Sequence, residues 1–219
     1  MRLRNVKNAY ERLNDNNKYF IPNPDSYKGK WNELFNNSNP IHIEIGCGKG
    51  QFITQLASQN PNINYIAIEK FDSVLLRAKE KAMNYDLSNL KLVIIDANEL
   101  INYFDLDEVD RIYLNFSDPW PKSHHKKRRL TSPLFLEQYK IILNKNGEIH
   151  FKTDNRKLFE YSLESFNENN FLLNNISLDL HKDIEKYPFN IETEFEEKWK
   201  EFGPIYRLEA KVRQWQNLY

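Results

Sequence analysis

Ile41-His42-Ile43-Glu44-Ile45-Gly46-Cys47-Gly48-Lys49-Gly50 is the stretch on which the reading of the fold turns. Its first five residues are rich in β-branched side chains and read as a buried strand. A glycine-rich turn follows at once. Phe52, Ile53, Leu56 and Ala57 then recur at the spacing of one helical face. Strand, glycine turn and helix in that order make a nucleotide-type loop. Glycine lets the chain turn tightly and lets its backbone approach a ligand closely. The helix start adds a partial positive end.

The same alternation repeats downstream. Residues 63–68 form a second apolar run ending at Glu69, and Val74, Leu75, Ala78 and Ala82 mark the helix after it. A third run, 90–95, ends at Asp96 and leads to a short helix over 100–104. The fourth, 109–114, leads to Asp118, and Ser132-Pro133 then places a capping hydroxyl before a proline at a first helical position. The fifth, 148–152, ends at Thr153-Asp154 and precedes a helix marked by Leu158, Phe159, Ser162, Leu163 and Phe166. Strands alternating with helices predict an α/β, Rossmann-like fold, with a mostly parallel central sheet and helices on both faces. In the tail, Tyr206, Leu208, Ala210 and Val212 alternate with charged residues, which predicts an antiparallel C-terminal strand paired with the segment 171–180. Near the start, Val6, Tyr10 and Leu13 predict a short helix, followed by a mobile arm through Pro22 and Pro24. Ser26 is placed to cap a second helix carrying Trp31, Leu34 and Phe35. No repeat or low-complexity linker divides the chain. A single domain over 1–219 is expected, with a basic arm and helix in 1–40 and a catalytic core in 41–219.

Every strand ends in an acid or a polar cluster: Glu44, Glu69, Asp96, Asp118 and Asp154. Helix capping explains any one of them. Five together mark the carboxyl edge of the sheet, where open α/β folds bind ligands. Glu69 follows the glycines by about twenty residues, a spacing that lets a carboxylate take ribose hydroxyls. An acid beside the glycine loop, Glu44, opposes a pyrophosphate and suits a cofactor bearing an amino group and a sulfonium. S-adenosylmethionine is therefore favoured over a nicotinamide dinucleotide, with Asp96, Ala97 and Asn98 near its adenine. Cys47 reads as a small residue in a tight loop.

The fourth strand runs into Asn115-Phe116-Ser117-Asp118-Pro119-Trp120-Pro121-Lys122-Ser123-His124-His125-Lys126-Lys127-Arg128-Arg129. Each proline restricts itself and drives the residue before it toward extended geometry. A stiff carboxylate and an indole beside a cationic run suit a base being held while its phosphates are gripped.

The chain has 219 residues and a formal net charge of zero, so total charge makes no case for nucleic acid. Charge is segregated instead: residues 1–30 hold seven Lys or Arg against three acids, and residues 183–201 hold seven acids against three Lys. One cysteine permits no internal disulfide and fits a reducing cytosol. No apolar run approaches membrane-spanning length, and the basic start is followed by no secretory core.

With these motifs in hand, the sequence resembles the class I methyltransferases, and more closely the bacterial tRNA (guanine-N7)-methyltransferase family. The resemblance rests on EIGCGKG at 44–50, Glu69, DAN at 96–98, NFSDPWPKSHHKKRRLT at 115–131, TDN at 153–155, TEFE at 193–196 and GPIYR at 203–207. It implies methyl transfer from S-adenosylmethionine, leaving S-adenosylhomocysteine, to N7 of the guanine at position 46 in the tRNA variable loop. It implies cofactor contacts at Glu44, Gly46, Gly48, Gly50, Glu69, Asp96, Ala97, Asn98 and Asp118, with Asp118 as the catalytic carboxylate. Substrate contacts are implied at Lys122, Asp154, Thr193, Glu194, Phe195 and Glu196, and RNA contacts at His124, His125, Lys126, Lys127, Arg128 and Arg129. No metal is expected. A cytoplasmic monomer or homodimer acting on tRNA is the corresponding expectation. Thr193 and Glu196 also read locally as a capping box. Two other functions stay open at this point: an N6-adenine methyltransferase, because SDPW is loosely similar to the motif that holds an amino group, and a non-catalytic RNA-binding protein. A nicotinamide dehydrogenase is a distant further reading.

Overall fold

The computed structural model describes residues 6–15 and 18–213. Among them, seven strands form one sheet: β1 Ile41–Ile45, β2 Asn64–Glu69, β3 Leu90–Ile94, β4 Val109–Asn115, β5 Leu143–Thr153, β6 Phe171–Ser177 and β7 Tyr206–Val212. The helices are α1 Ala9–Asn14, α2 Trp31–Phe35, α3 Gln51–Gln59, α4 Asp72–Ala82, α5 Pro133–Ile142, α6 Arg156–Glu168 and α7 Glu194–Trp199. Strand order is β3-β2-β1-β4-β5-β7-β6. β1 to β5 pair in parallel, and β7 inserts antiparallel between β5 and β6. Chain order reverses between β1 and β4, so the crevice between their carboxyl ends is the switch point where such sheets bind ligands.

Alternation along each strand sorts side chains onto two faces. Ile41, Ile43 and Ile45 of β1, Ile112 and Leu114 of β4, Phe151 of β5 and Leu208 of β7 pack with Trp31, Phe135, Tyr139, Phe159 and Phe166 from α2, α5 and α6. On the opposite face, Tyr65 and Ala67 meet Leu13, Phe52, Ile53, Leu75 and Ala78 from α1, α3 and α4. Over β4, β5 and β7 this second face is ionic. Arg111 and Lys211 lie 2.5 and 3.1 Å from the Glu148 carboxylate, and Arg207 pairs with Glu209. Glu148, His150 and Glu209 come within metal-ligand reach of one another. A divalent ion there would have to displace the three cations already facing the two carboxylates.

The start of the chain departs from expectation. Met1 to Arg4 lie outside the described residues. Residues 18–25 pack rather than forming a mobile arm: Tyr19 and Phe20 are buried, and Phe20 bridges Leu92 at the β3 edge. Two aromatic side chains and backbone bonds from Leu92 to Tyr19 and from Ile21 to Leu92 outweigh the prolines' interruption. Ser26 sits inside a 3-10 turn, Pro24–Tyr27, and donates to Asn23 O instead of capping α2, whose start is Lys30-Trp31. The short helix expected over 100–104 is a 3-10 segment, Ala97–Asn102. β5 begins earlier than its apolar run, at Leu143.

His42 of β1 is buried, and burial pushes its imidazole down to about 3, with the Arg111 charge adding to the shift. The unfolded chain would take up that proton near 6.5. Because the folded value lies below the unfolded one, the stability is present above pH 6.5 and is lost as pH falls toward 3. One such proton corresponds to about 1.4 kcal/mol per pH unit. Urea unfolding between roughly pH 7 and 5 is expected to show stability falling more steeply in the native chain than in His42→Gln. Equal slopes would mean that another group carries the acid sensitivity.

Candidate active site at the mouth of the sheet

β1 and β4 run side by side with Glu44 opposite Tyr113, which brings Asn115 to the mouth beside Glu44. Asn115 Nδ2 donates to Glu44 Oε1 at 2.9 Å. The second oxygen, Oε2, is buried with no hydrogen-bond partner among the described residues. Burial pushes the Glu44 carboxyl up to about 8, while the Asn115 bond and the Lys152 charge pull the other way. A buried acceptor without a donor at a switch point is a place for a ligand's cationic or N–H group.

The glycine loop wraps this carboxyl. Gly46 and Cys47 amides both donate to Ile68 O at 2.9 Å, folding the loop over the end of β2. Gly48 N donates to Glu69 Oε2 at 3.2 Å. Gly50 starts α3 with a φ of 77°, and a Cβ there would lie 2.7 Å from Ala78 Cβ. Glycine is thus required where α3 meets α4. Cys47 is buried, which pushes its thiol up and leaves it unreactive. Glu69 is raised by burial, opposed by the amides of Phe71, Lys70 and Gly48, and raised further by the negative charge of Asp118. The Asp118 charge is thus near enough to act on Glu69. Asp96 accepts from Asn98 N at 3.0 Å and Asn98 Nδ2 at 2.7 Å, and it pairs with Lys70. Burial opposes ionisation of Asp96, but the Lys70 and Asn98 bonds win and lower its carboxyl.

The loop after β4 carries two side chains in the left-handed region, Phe116 at φ 50° and Trp120 at φ 40°. Trp120 therefore departs from the extended geometry that Pro121 favours. The reason is Arg129, whose guanidinium donates to Pro119 O at 3.0 Å and to Trp120 O at 3.1 Å and lies over the Tyr161 ring. Arg129 is buried and braces the loop, so it is withdrawn from the set expected to touch RNA. Arg128 Cζ lies over the Trp120 ring, 3.6 Å from its centroid. Asp118, Lys122, His124, Lys126, Lys127 and Arg128 are exposed, the cations mostly on a 3-10 turn, Ser123–Arg128, and His125 is half-buried against the Trp120 edge.

α7 closes the other side. Thr193 Oγ1 accepts from Glu196 N at 3.0 Å, the N-cap half of the capping box. The Glu196 carboxylate does not reach back. It is 0% exposed, 2.6 Å from Lys152 Nζ, and bonded to Asn190 Nδ2 at 3.0 Å. His181 Nε2 lies 3.1 Å from Oε1, the oxygen that Asn190 bonds. With both oxygens taken, Glu196 anchors α7 and is not free to touch substrate as expected. Glu194 points to the glycine loop, 3.3 Å from Lys49 and 2.6 Å from Lys81, and Gln51 donates to Glu197 at 2.6 Å. Phe195 packs on Phe116 with ring centroids 4.9 Å apart. Asp154 is exposed at the end of β5, just before Asn155 caps α6.

Asn115, Lys152, Lys49, Lys81 and Phe116 were not singled out from sequence. A lysine inside the apolar fifth strand was the available signal for Lys152. Asn115, Phe116 and Lys49 stand inside the quoted motifs with no role assigned to them, and Lys81 carries no signal. Two surface clefts lie elsewhere, one lined by Asp105, Glu108 and Asp110, the other by 6–11 and Asp72. The Glu108 and Asp110 carboxylates already accept from backbone amides of Gly29, Trp31 and Ile41.

A methyltransferase family model, described as "Putative methyltransferase", matches residues 38–208. The tRNA (guanine-N(7)-)-methyltransferase of Listeria monocytogenes serovar 1/2a is 56% identical, over 96% of this chain and 98% of its own length. The chain belongs to the tRNA (guanine-N7)-methyltransferase family. Enzymes of the same name from Geobacillus sp. (strain WCH70) and Streptococcus agalactiae serotype III are each 54% identical, over 96% of this chain and 96% and 100% of theirs. Among solved structures, the 16S rRNA methyltransferase KamB superposes with a TM-score of 0.63 at 14% identity, covering 85% of this chain and 94% of that one, which speaks for the class I methyltransferase fold. Family membership decides for guanine-N7 transfer on tRNA over the adenine-amino, non-catalytic and nicotinamide readings. Among the described residues, no helix is long and apolar enough to cross a membrane.

Glu44 supplies a test of the mouth's electrostatics. Its folded value lies above the unfolded one, 4.5, so its stability contribution is present below pH 4.5 and is lost as pH rises toward 8. Thermal unfolding of the ligand-free protein is expected to show Glu44→Gln losing less stability than the native chain between roughly pH 5 and 8. Parallel curves would show that the carboxyl is not held neutral.

Proposed function

We propose that the chain transfers a methyl group from S-adenosylmethionine to N7 of the guanine at position 46 in the tRNA variable loop, by direct in-line attack. The observation that supports this reading is the buried Glu44 oxygen left without a donor beside the glycine loop, whose Gly48 amide bonds Glu69. The residues present fit the cofactor. The open Glu44 oxygen suits its amino group, Glu69 its ribose hydroxyls, and Asp96-Ala97-Asn98 its adenine. When bound, it supplies an activated methyl on a sulfonium.

Guanine N7 offers a lone pair and carries no proton. No general base is needed, only alignment and exclusion of water. Asp118, accepting from the guanine N1–H and amino group, would orient the ring and favour the positive charge that develops on it. Asp154 and Glu194 would share that edge, with Phe195 packed on Phe116 beside the loop. Lys122, His124, Lys126, Lys127 and Arg128 form the exposed face that grips phosphate, with half-buried His125 among them, while Arg129 braces the loop after β4 and Glu196 anchors α7. The chain works as one methyltransferase domain, acting on tRNA in the cytoplasm.

Nucleoside mass spectrometry of tRNA incubated with protein and methyl donor is expected to show 7-methylguanosine at the variable loop. Asp118→Ala should abolish it without loss of the folded state by circular dichroism. Methylation surviving in that variant would overturn the role given to Asp118. Neutralising Lys122, Lys126, Lys127 and Arg128 together should flatten the slope of log affinity against log salt by about three. An unchanged slope would mean this face does not meet the RNA backbone.

A further inference from the structure

α7 is amphipathic the wrong way round. A surface helix normally buries its apolar stripe and leaves its charges in water. Here the charged Glu196 is 0% exposed, while Phe195 and Trp199 are 38% and 41% exposed and Phe202, in the turn after the helix, is 78% exposed. These three side chains fall on one stripe, four and then three residues apart. The Phe195 and Trp199 centroids are 5.9 Å apart, and those of Trp199 and Phe202 5.5 Å. At its inner end the stripe continues into Phe116, directly before Ser117-Asp118. Phe116 is held there at a positive φ that bulky side chains rarely adopt, with its amide bonded to Lys152 O. An unbroken aromatic row thus leads from the catalytic carboxylate to open solvent.

The charges around the row decide what it can receive. Glu194 and Glu196 are matched by Lys49, Lys81 and Lys152, Lys198 lies 5.3 Å from the Trp199 centroid, and Glu197 and Glu201 are exposed, so this side offers no concentrated positive charge to a phosphate backbone. The exposed cations at 122–128, directly after the Asp118 loop, do attract one. A single strand crossing the mouth would keep its phosphates on the cationic side and turn its bases toward α7. Aromatic faces stack any base without reading its edge.

We propose that Trp199 and Phe202 form a stacking platform for the base of a nucleotide next to the target guanine, holding the variable loop open during transfer. This rests on the tRNA reading given above. The test is steady-state methylation of a tRNA transcript by the native chain, by Trp199→Ala/Phe202→Ala, and by Trp199→Phe. The double variant is expected to raise KM for tRNA roughly tenfold, as loss of a stacked base does, with cofactor affinity by calorimetry unchanged; Trp199→Phe should restore most of it. A transcript abasic at the nucleotide on either side of the target should cost the native chain a similar factor at one of the two positions and the double variant little more. KM unchanged in the double variant, or abasic sites costing both proteins equally, would overturn the platform. So would a native dimer by sedimentation that the double variant abolishes, since the stripe would then be a self-association surface. Absence of 7-methylguanosine with the native chain would instead strike the parent reading.

Discussion

The buried ion pair between Lys152 and Glu196 is the contact on which the site's assembly depends. It ties the last parallel strand to a six-residue helix that has little apolar surface turned inward. Burial alone would drive the Lys152 ammonium toward neutrality, and the Glu196 carboxylate opposes that shift. Two desolvated charges are retained only when their remaining hydrogen-bond capacity is met. Here Asn190, Ile191 O and His181 meet it. Removing one partner of such a pair typically costs about 3–5 kcal/mol, because the other is left charged in the interior.

From that anchor the rest of the mouth follows. α7 is held where Glu194 and Glu197 reach Lys49, Lys81 and Gln51, so this helix touches the glycine loop, α3 and α4. Phe195 reaches Phe116 across the same opening. Whatever shifts the glycine loop is therefore felt at α7. The loop after β4 is braced separately, by Arg129 bonded to the backbone on both sides of the Pro119–Trp120 peptide.

Glu44 shows what such a site costs the ligand-free fold. Its carboxyl is held largely neutral by burial, with one oxygen unmatched. A stability-optimised strand would carry an apolar residue there. A carboxyl that a cationic ligand can ionise is less stable empty and better suited to binding, the usual compromise at functional positions.

Local pattern made most of the sheet legible, because alternation and helical spacing are properties of neighbouring residues. The parallel strands, the antiparallel tail, the glycine loop and the acids at the strand ends were all readable in that way. Resemblance added the chemistry. Tertiary structure alone decided the fates of residues whose local sequence carries two meanings. Glu196 reads locally as a cap and by resemblance as a substrate contact, and only Lys152, 44 residues away, turns it inward. Arg129 is one cation in a run of four, and only the carbonyls of Pro119 and Trp120 single it out for burial. The prolines at 22 and 24 suit an arm, yet the edge of β3 offers Tyr19 and Phe20 a place to pack. Periodicity is written in the chain, but charge pairing and edge pairing depend on which distant groups the fold brings within 3 Å, and no local window contains them.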